Sequence, residues 1–173
     1  TLRLVSLRGT NHLMDVGGGT GAFLRSVAAQ YPGLRLTLFD LPAVVAGAAP
    51  LPNLTVQAGS FRDDPLPQGA DMISLIRVLY DHTDATVAAL LGAAFRALPP
   101  GGRLLISEPM SGGARPDPAT DVYFAVYTLA MQTGRTRSAD EISALLAAPG
   151  FAAIRPQAGA RPYVTSVITA QKP

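Results

Sequence analysis

Residues 13–21 read Leu-Met-Asp-Val-Gly-Gly-Gly-Thr-Gly, a single carboxylate followed by four glycines. Glycines behind an apolar run let the backbone turn tightly and let a ligand lie against bare main chain. A helix starting just beyond them offers free N–H groups. Gly17, Gly19 and Ala22 fit the spacing G-x-G-x-x-G/A of a dinucleotide loop, a weak signal on its own. Asp15, two residues before Gly17, separates two ligand classes. A carboxylate there repels a pyrophosphate and attracts an ammonium group. S-adenosylmethionine has an amino-acid end, a cationic sulfonium and no phosphate, so Asp15 favours it over NAD(P). Asp40 lies 19 residues after Gly21 and is placed to accept both hydroxyls of a ribose, a device that serves either ligand.

The elements that must position these groups follow a strand–turn–helix rhythm. Residues 12–16 (HLMDV) predict a buried strand, and 20–30 (TGAFLRSVAAQ) a helix burying Phe23, Leu24, Val27 and Ala28. Residues 34–40, 53–58, 71–76 and 103–107 predict further strands, and 42–48, 84–98, 121–132 and 138–148 helices. Pro42 suits a first helical turn, and Ser138 with Glu141 forms the pattern of a capping box. Residues 151–155 and 163–170 predict two closing strands joined by a loop over 156–162. Seven residues hold no crossover helix, so these two strands should pair antiparallel. The expected fold is α/β, a doubly wound Rossmann-like sheet of about seven strands with an antiparallel last strand, in one domain over 1–173.

Composition bounds the chemistry. With 48% hydrophobic residues in 173, the chain can bury a core. Zero cysteines exclude a disulfide scaffold and a thiol nucleophile, and two histidines, His12 and His82, leave no basis for a metal site. The net charge is +2, with arginines scattered singly, which excludes a basic stripe for nucleic acid. No apolar run reaches the roughly 18–20 residues of a membrane span. The start carries no signal-peptide pattern, so the default location is cytoplasmic. The chain has no initiator Met and is expected to be part of a longer protein.

LMDVGGGTG, FDLP, VLYDHTD and LPPGGRLLISE, in this order, resemble the catalytic domain of class I S-adenosylmethionine-dependent O-methyltransferases of the acetylserotonin/caffeate type. GSFRDDPLP, VLYDHTD and TGRTRS further resemble the carotenoid hydroxyl methyltransferases of phototrophic bacteria. The resemblance implies methyl transfer from S-adenosylmethionine to a hydroxyl of a small or lipidic apolar acceptor. It implies that Asp15, Gly17 and Gly19 line the methionine end of the cofactor, and that Asp40 and Leu41 hold its ribose and adenine side. Where the family has Gly-Asp and an apolar residue after the third strand, this chain has Gly59-Ser60-Phe61. Ser60 accepts a hydrogen bond without a charge, and Phe61 covers the adenine face. It also implies an N-terminal helical domain outside this chain through which a homodimer forms. With a carotenoid acceptor the protein would sit peripherally at membranes.

Methyl transfer from a sulfonium is an in-line displacement, and a general base helps if the acceptor hydroxyl must lose its proton. The family's catalytic His falls on Tyr80, and a His occupies position 82 instead. His82, with a reference pKa of about 6.5, suits a base better than the phenol of Tyr80 at about 10. Three readings stay open: His82 as base, Tyr80 as orienter or base, and neither. Glu108, one of two glutamates, falls where the family has a Glu that orients the catalytic His. The second Glu found in some relatives before an Arg-Thr pair is Thr136 here. Tyr123, Tyr127 and Met131 recur at i, i+4, i+8, a stripe that reads either as core or as ligand wall, and the resemblance places them on the helix that lines the family's acceptor pocket. Two other readings remain: an NAD(P)-binding oxidoreductase domain, and a cofactor-binding domain without catalysis.

Overall fold

The computed structural model describes residues 1–159 and 165–173. Its frame is a seven-stranded sheet. The chain runs through β1 (His12–Val16), α1 (Ala22–Gln30), β2 (Arg35–Asp40), α2 (Pro42–Val45), β3 (Leu54–Ala58) and β4 (Met72–Ile76). A 3₁₀ turn at Leu79–Asp81 leads into α3 (Asp84–Ala97) and β5 (Arg103–Glu108). Then come β6 (Met110–Ser111), α4 (Pro118–Met131), β7 (Arg137–Ser138), α5 (Ala139–Ala147), β8 (Ala152–Gln157) and β9 (Ser166–Gln171). The spatial order is β3-β2-β1-β4-β5-β9-β8. The first five of these are parallel, and β9 lies antiparallel to both β5 and β8.

Each central strand splits its side chains between two cores. Met14 and Val16 of β1 pack with Ile73 and Leu75 of β4 beneath α3 and α5, through Leu90, Leu91, Ile142 and Leu146. Leu13 faces the other way, with Leu36, Leu38 and Met72, beneath Leu24 and Val27 of α1. Helices therefore cover both faces, as a buried parallel sheet requires. The strand order reverses between β1 and β4, which opens a crevice at their carboxyl ends.

The predicted strands and antiparallel closure are present, with differences that have local causes. The second helix stops at Val45 rather than Ala48, and α4 starts at Pro118, where Asp117 caps Ala119 N–H at 3.0 Å. The predicted loop over 156–162 begins later, because Pro156 and Gln157 belong to β8. That strand is the sheet edge, where a proline costs no ladder bond. Tyr163 and Val164, predicted to open the last strand, lie outside the described residues. The 3₁₀ turn and the two-residue pair β6–β7 were not predicted. The capping box of α5 is formed, Ser138 Oγ accepting from Glu141 N–H and Glu141 Oε2 from Ser138 N–H.

Candidate active site

The carboxyl ends of β1 to β4 surround a cavity of about 360 Å³ at the reversal point. Gly17, Asp40, Leu41, Gly59, Ser60, Phe61, Arg77, Val78, Asp81 and His82 contribute to its wall. Gly17 carries φ +68°, and a Cβ on it would meet Val78 Cγ2 at 2.8 Å, so the loop turns as it does only with glycine there. Gly19 also has positive φ and opens onto free space. Its N–H donates to Asp40 Oδ2 at 2.7 Å, and Leu41 N–H to Asp40 Oδ1 at 2.7 Å. Asp40 is thus fixed by main chain, and each oxygen keeps lone-pair capacity for a ligand hydroxyl.

Asp15 does not line this cavity. It is fully buried, in register with Ser74 on the adjacent strand, and Ser74 Oγ donates to its Oδ1 at 2.6 Å. Its Oδ2 has no hydrogen-bond partner and lies directly under Gly18, where a Cβ would come within 2.6 Å of it. Burial pushes the carboxyl up to about 7, against the Ser74 bond that holds it down, and the Asp40 charge raises it further. Asp15 therefore lies beneath the glycine loop as a buried carboxyl whose charged form a nearby cation would favour.

Ser60 and Phe61 stand at the opposite wall. Ser60 Oγ donates to Asp63 Oδ2 at 2.8 Å, and Ser60 N–H to Asp64 Oδ2 at 2.8 Å, so two carboxylates shape the loop where the family motif has one. Phe61 meets the His82 ring edge-on at 5.2 Å. His82 Nδ1 lies 2.9 Å from Arg62 Nη2. Guanidinium only donates, so Nδ1 accepts, and the neutral ring then carries its proton on Nε2. Burial lowers the His82 pKa below its ordinary value, and the Arg62 and Arg137 charges lower it further.

Tyr80 is buried against α4, packed on Phe124 and Tyr127 at 5.6 Å each, and is not part of the cavity wall. Arg77 Nη2 donates to its hydroxyl at 3.3 Å. Glu108 is 1% exposed, and its carboxylate makes no hydrogen bond to the Tyr80 or His82 side chain. It accepts the N–H groups of Val78 and Leu79 at 2.7 Å and of Tyr80 at 3.4 Å, so it acts on the turn through its backbone. Burial pushes Glu108 up to about 7 despite these bonds, which favour its charged form. Of the predicted acceptor stripe only Tyr127 faces this group; Tyr123 and Met131 are on the exposed side of α4.

Four wall residues, Arg62, Arg77, Val78 and Asp81, are not among the expected site residues. Arg77 takes a positive φ of 58°, its N–H donating to Ser107 O at 2.8 Å, and its side chain crosses the Tyr80 ring at 5.4 Å. Asp81 has a buried Oδ1 without a partner, and burial raises its pKa. The signal for Asp81 was present in the string VLYDHTD, between the two aromatic residues that drew attention. Among the described residues no cluster of His, Cys, Asp or Glu could hold a metal ion, and no helix is long and apolar enough to cross a membrane.

Comparison with known proteins gives a consistent set. The model of the O-methyltransferase domain family matches residues 1–152. The chain is 60% identical over 173 residues to demethylspheroidene O-methyltransferase of Rhodobacter capsulatus, covering 99% of this chain and 44% of that protein. It is 35% identical over 149 residues to acetylserotonin O-methyltransferase of Bos taurus, covering 83% of this chain and 43% of that one. The crystal structure of human N-acetylserotonin methyltransferase in complex with SAM superposes with a TM-score of 0.90 at 30% identity, over 99% of this chain and 50% of that one. CalO1, a methyltransferase of calicheamicin biosynthesis in its SAH-bound form, superposes with a TM-score of 0.85 at 28% identity, over 99% and 51%. This chain spans less than half the length of the two sequence relatives.

Proposed function

Because this chain belongs to the O-methyltransferase domain family, we propose that it is the catalytic part of an enzyme that methylates a hydroxyl on an apolar, carotenoid-type acceptor, with S-adenosylmethionine as donor. The observation that carries this reading is the orphaned oxygen of Asp15 beneath a glycine loop whose mouth is edged by Asp40. A buried carboxylate with one oxygen unpartnered suits a cationic amino-acid tail and opposes a pyrophosphate.

When bound, S-adenosylmethionine supplies a methyl group already activated on a sulfonium. The protein's own contribution is alignment and exclusion of water. In this reading Asp15, Gly17 and Gly19 hold the amino-acid end. Asp40 and Leu41 hold the ribose and adenine side, Ser60 accepts at the adenine edge, and Phe61 covers its face. Tyr127, with Tyr123 and Met131 further round α4, forms the acceptor wall. His82 presents Nε2–H while Arg62 occupies Nδ1, so it serves as a base only after Arg62 gives way or the proton changes nitrogen. Tyr80, held by Arg77, orients the acceptor side, and Glu108 holds the turn that carries both. The homodimer belongs to the same proposal and forms through the part of the relatives' length outside this chain. So does a cytoplasmic location, peripheral to the membrane that holds the acceptor.

The test is methyl transfer from S-adenosyl-[methyl-¹⁴C]methionine to demethylspheroidene, using the protein at the length of its relatives. Label in the extracted pigment is the expected result. Binding of S-adenosylhomocysteine without label transfer to any hydroxylated carotenoid would leave the domain a cofactor binder without this chemistry.

A further inference from the structure

Arg137 is 2% exposed, yet it is an arginine in a segment of polar residues, Thr136-Arg137-Ser138. Four of its five N–H donors make hydrogen bonds, and Nη2 also forms an ion pair with Asp84. Nε and Nη2 reach Asp84 Oδ1 at 2.8 and 2.7 Å. Nη1 donates to Leu79 O at 2.9 Å and to Arg135 O at 3.2 Å, and Nη2 to His82 O at 2.8 Å. The carbonyls of Leu79 and His82 bracket the turn that carries Tyr80, Asp81 and His82. The third carbonyl of this group, Asp81 O, accepts from Thr133 Oγ1 at 3.3 Å. Gly134 closes the same contact: it has φ +76°, and a Cβ on it would collide with Tyr80 O.

Glu108 holds the turn from the other side, through the N–H groups of Val78, Leu79 and Tyr80. One buried carboxyl thus takes the donors of the turn, and one buried guanidinium takes its acceptors. The two are tied together, because Met110, two residues after Glu108, is in register with Arg137 in the β6–β7 pair. Asp84 anchors the guanidinium at the start of α3, and its Oδ2 is held in turn by Arg135 Nη2 at 3.1 Å. A buried arginine is a costly feature for a fold to keep and, even when paired, a poor source of net stability. Its value here is geometric.

We propose that Arg137 is a positioning residue which, with Glu108, sets the backbone of residues 78–82 and so places Asp81 and His82 in the cavity wall and Tyr80 beside it against α4. This rests on the methyltransferase reading for its kinetic consequence, though not for its structural one. A lysine at 137 keeps the charge but offers three donors in place of a planar fork, so it cannot hold Asp84, Leu79 O and His82 O together. Displacement of reacting groups by about 1 Å costs on the order of 100-fold in rate.

The experiment is Arg137→Lys in the protein at the length of its relatives, read in two ways. In the first, turnover with demethylspheroidene falls at least tenfold, while the calorimetric Kd for S-adenosylhomocysteine changes less than threefold. In the second, amide hydrogen exchange at Val78, Leu79 and Tyr80 speeds at least tenfold, while the strand amides of β1 and β2 keep their protection. Equal loss of turnover and cofactor affinity, or faster exchange throughout the sheet, would make Arg137 a stability residue and overturn the proposal. Unchanged turnover and unchanged exchange would overturn it as well. If the parent protein transfers no methyl group, the activity reading fails, and the exchange experiment still decides the role of Arg137. Should Arg137→Lys not fold, Thr133→Val, which removes only the bond to Asp81 O, must reproduce the turnover loss in smaller degree, and normal turnover in that variant would count against the proposal.

Discussion

Replacing Asp15 by asparagine separates the charge of that residue from its shape. With its pKa pushed up to about 7, Asp15 is ionised in roughly one molecule in ten at pH 6 and in one in two at pH 7. A ligand whose cation requires the ionised form then binds about fivefold more tightly at pH 7 than at pH 6. Below pH 6 the dependence approaches tenfold per pH unit. Titration calorimetry with S-adenosylhomocysteine between pH 5.5 and 7 reads this directly, below the range near 8 where the ligand's own amino group titrates. Asp15→Asn should bind more weakly at pH 7 and lose the slope; any slope left belongs to His82, whose pKa is lowered and whose ring is in the cavity wall. The same substitution has an opposite effect on stability. The folded state keeps the Asp15 proton up to about 7, whereas the unfolded chain releases it near 3.8. Stability is therefore lost as pH rises from about 4 to 7 and stays low above it, by up to about 4 kcal/mol. Asp15→Asn removes that loss, so its Tm should exceed the parent's at pH 8. A variant that keeps the parent's pH slope, or binds more tightly at pH 7, would refute the reasoning.

Three further outcomes follow from the geometry. Gly17→Ala places a Cβ 2.8 Å from Val78 Cγ2 at a left-handed φ, and should cost about 1–3 kcal/mol in chemical denaturation and abolish detectable S-adenosylhomocysteine binding. Gly18→Ala sets a methyl 2.6 Å from both Asp15 Oδ2 and Leu38 Cδ1 and should destabilise by a similar amount, read as a lower Tm. Arg62→Ala removes the donor and the positive charge facing His82 Nδ1, so the His82 pKa should rise toward its ordinary 6.5 in an NMR titration. If His82 is the base, the acid limb of the kcat profile moves up with it; a fixed limb assigns the proton elsewhere.

Much of the frame was legible because periodicity and punctuation are local. All five parallel strands begin and end within one residue of their expected limits, and Ser138 caps α5 with Glu141 as its spacing implied. The glycine loop and Asp40 were legible for the same reason, since both follow strands directly. The position of Asp15 was not. Strand alternation puts it on the face of Leu13, towards Leu38 and Met72, so its charge is beneath the loop rather than in the opening. The turn over residues 78–82 was least legible. It is held by residues 28 to 30 positions downstream in Glu108 and 55 to 58 downstream in Arg137. An arginine between a threonine and a serine reads as a surface residue, and strands of two residues such as β6 and β7 show no alternation at all. The aromatic stripe on α4 is legible only as spacing: i, i+4 aligns side chains but does not say which face is covered, and within this chain the buried aromatic of the helix is Phe124.

The choice between a cationic amino-acid ligand and a pyrophosphate rests on one buried charge, and paired calorimetric titrations decide it. S-adenosylhomocysteine should bind at one site per chain, with NADH giving no heat under the same conditions and failing to compete. Binding of NADH in the absence of S-adenosylhomocysteine binding would contradict the account.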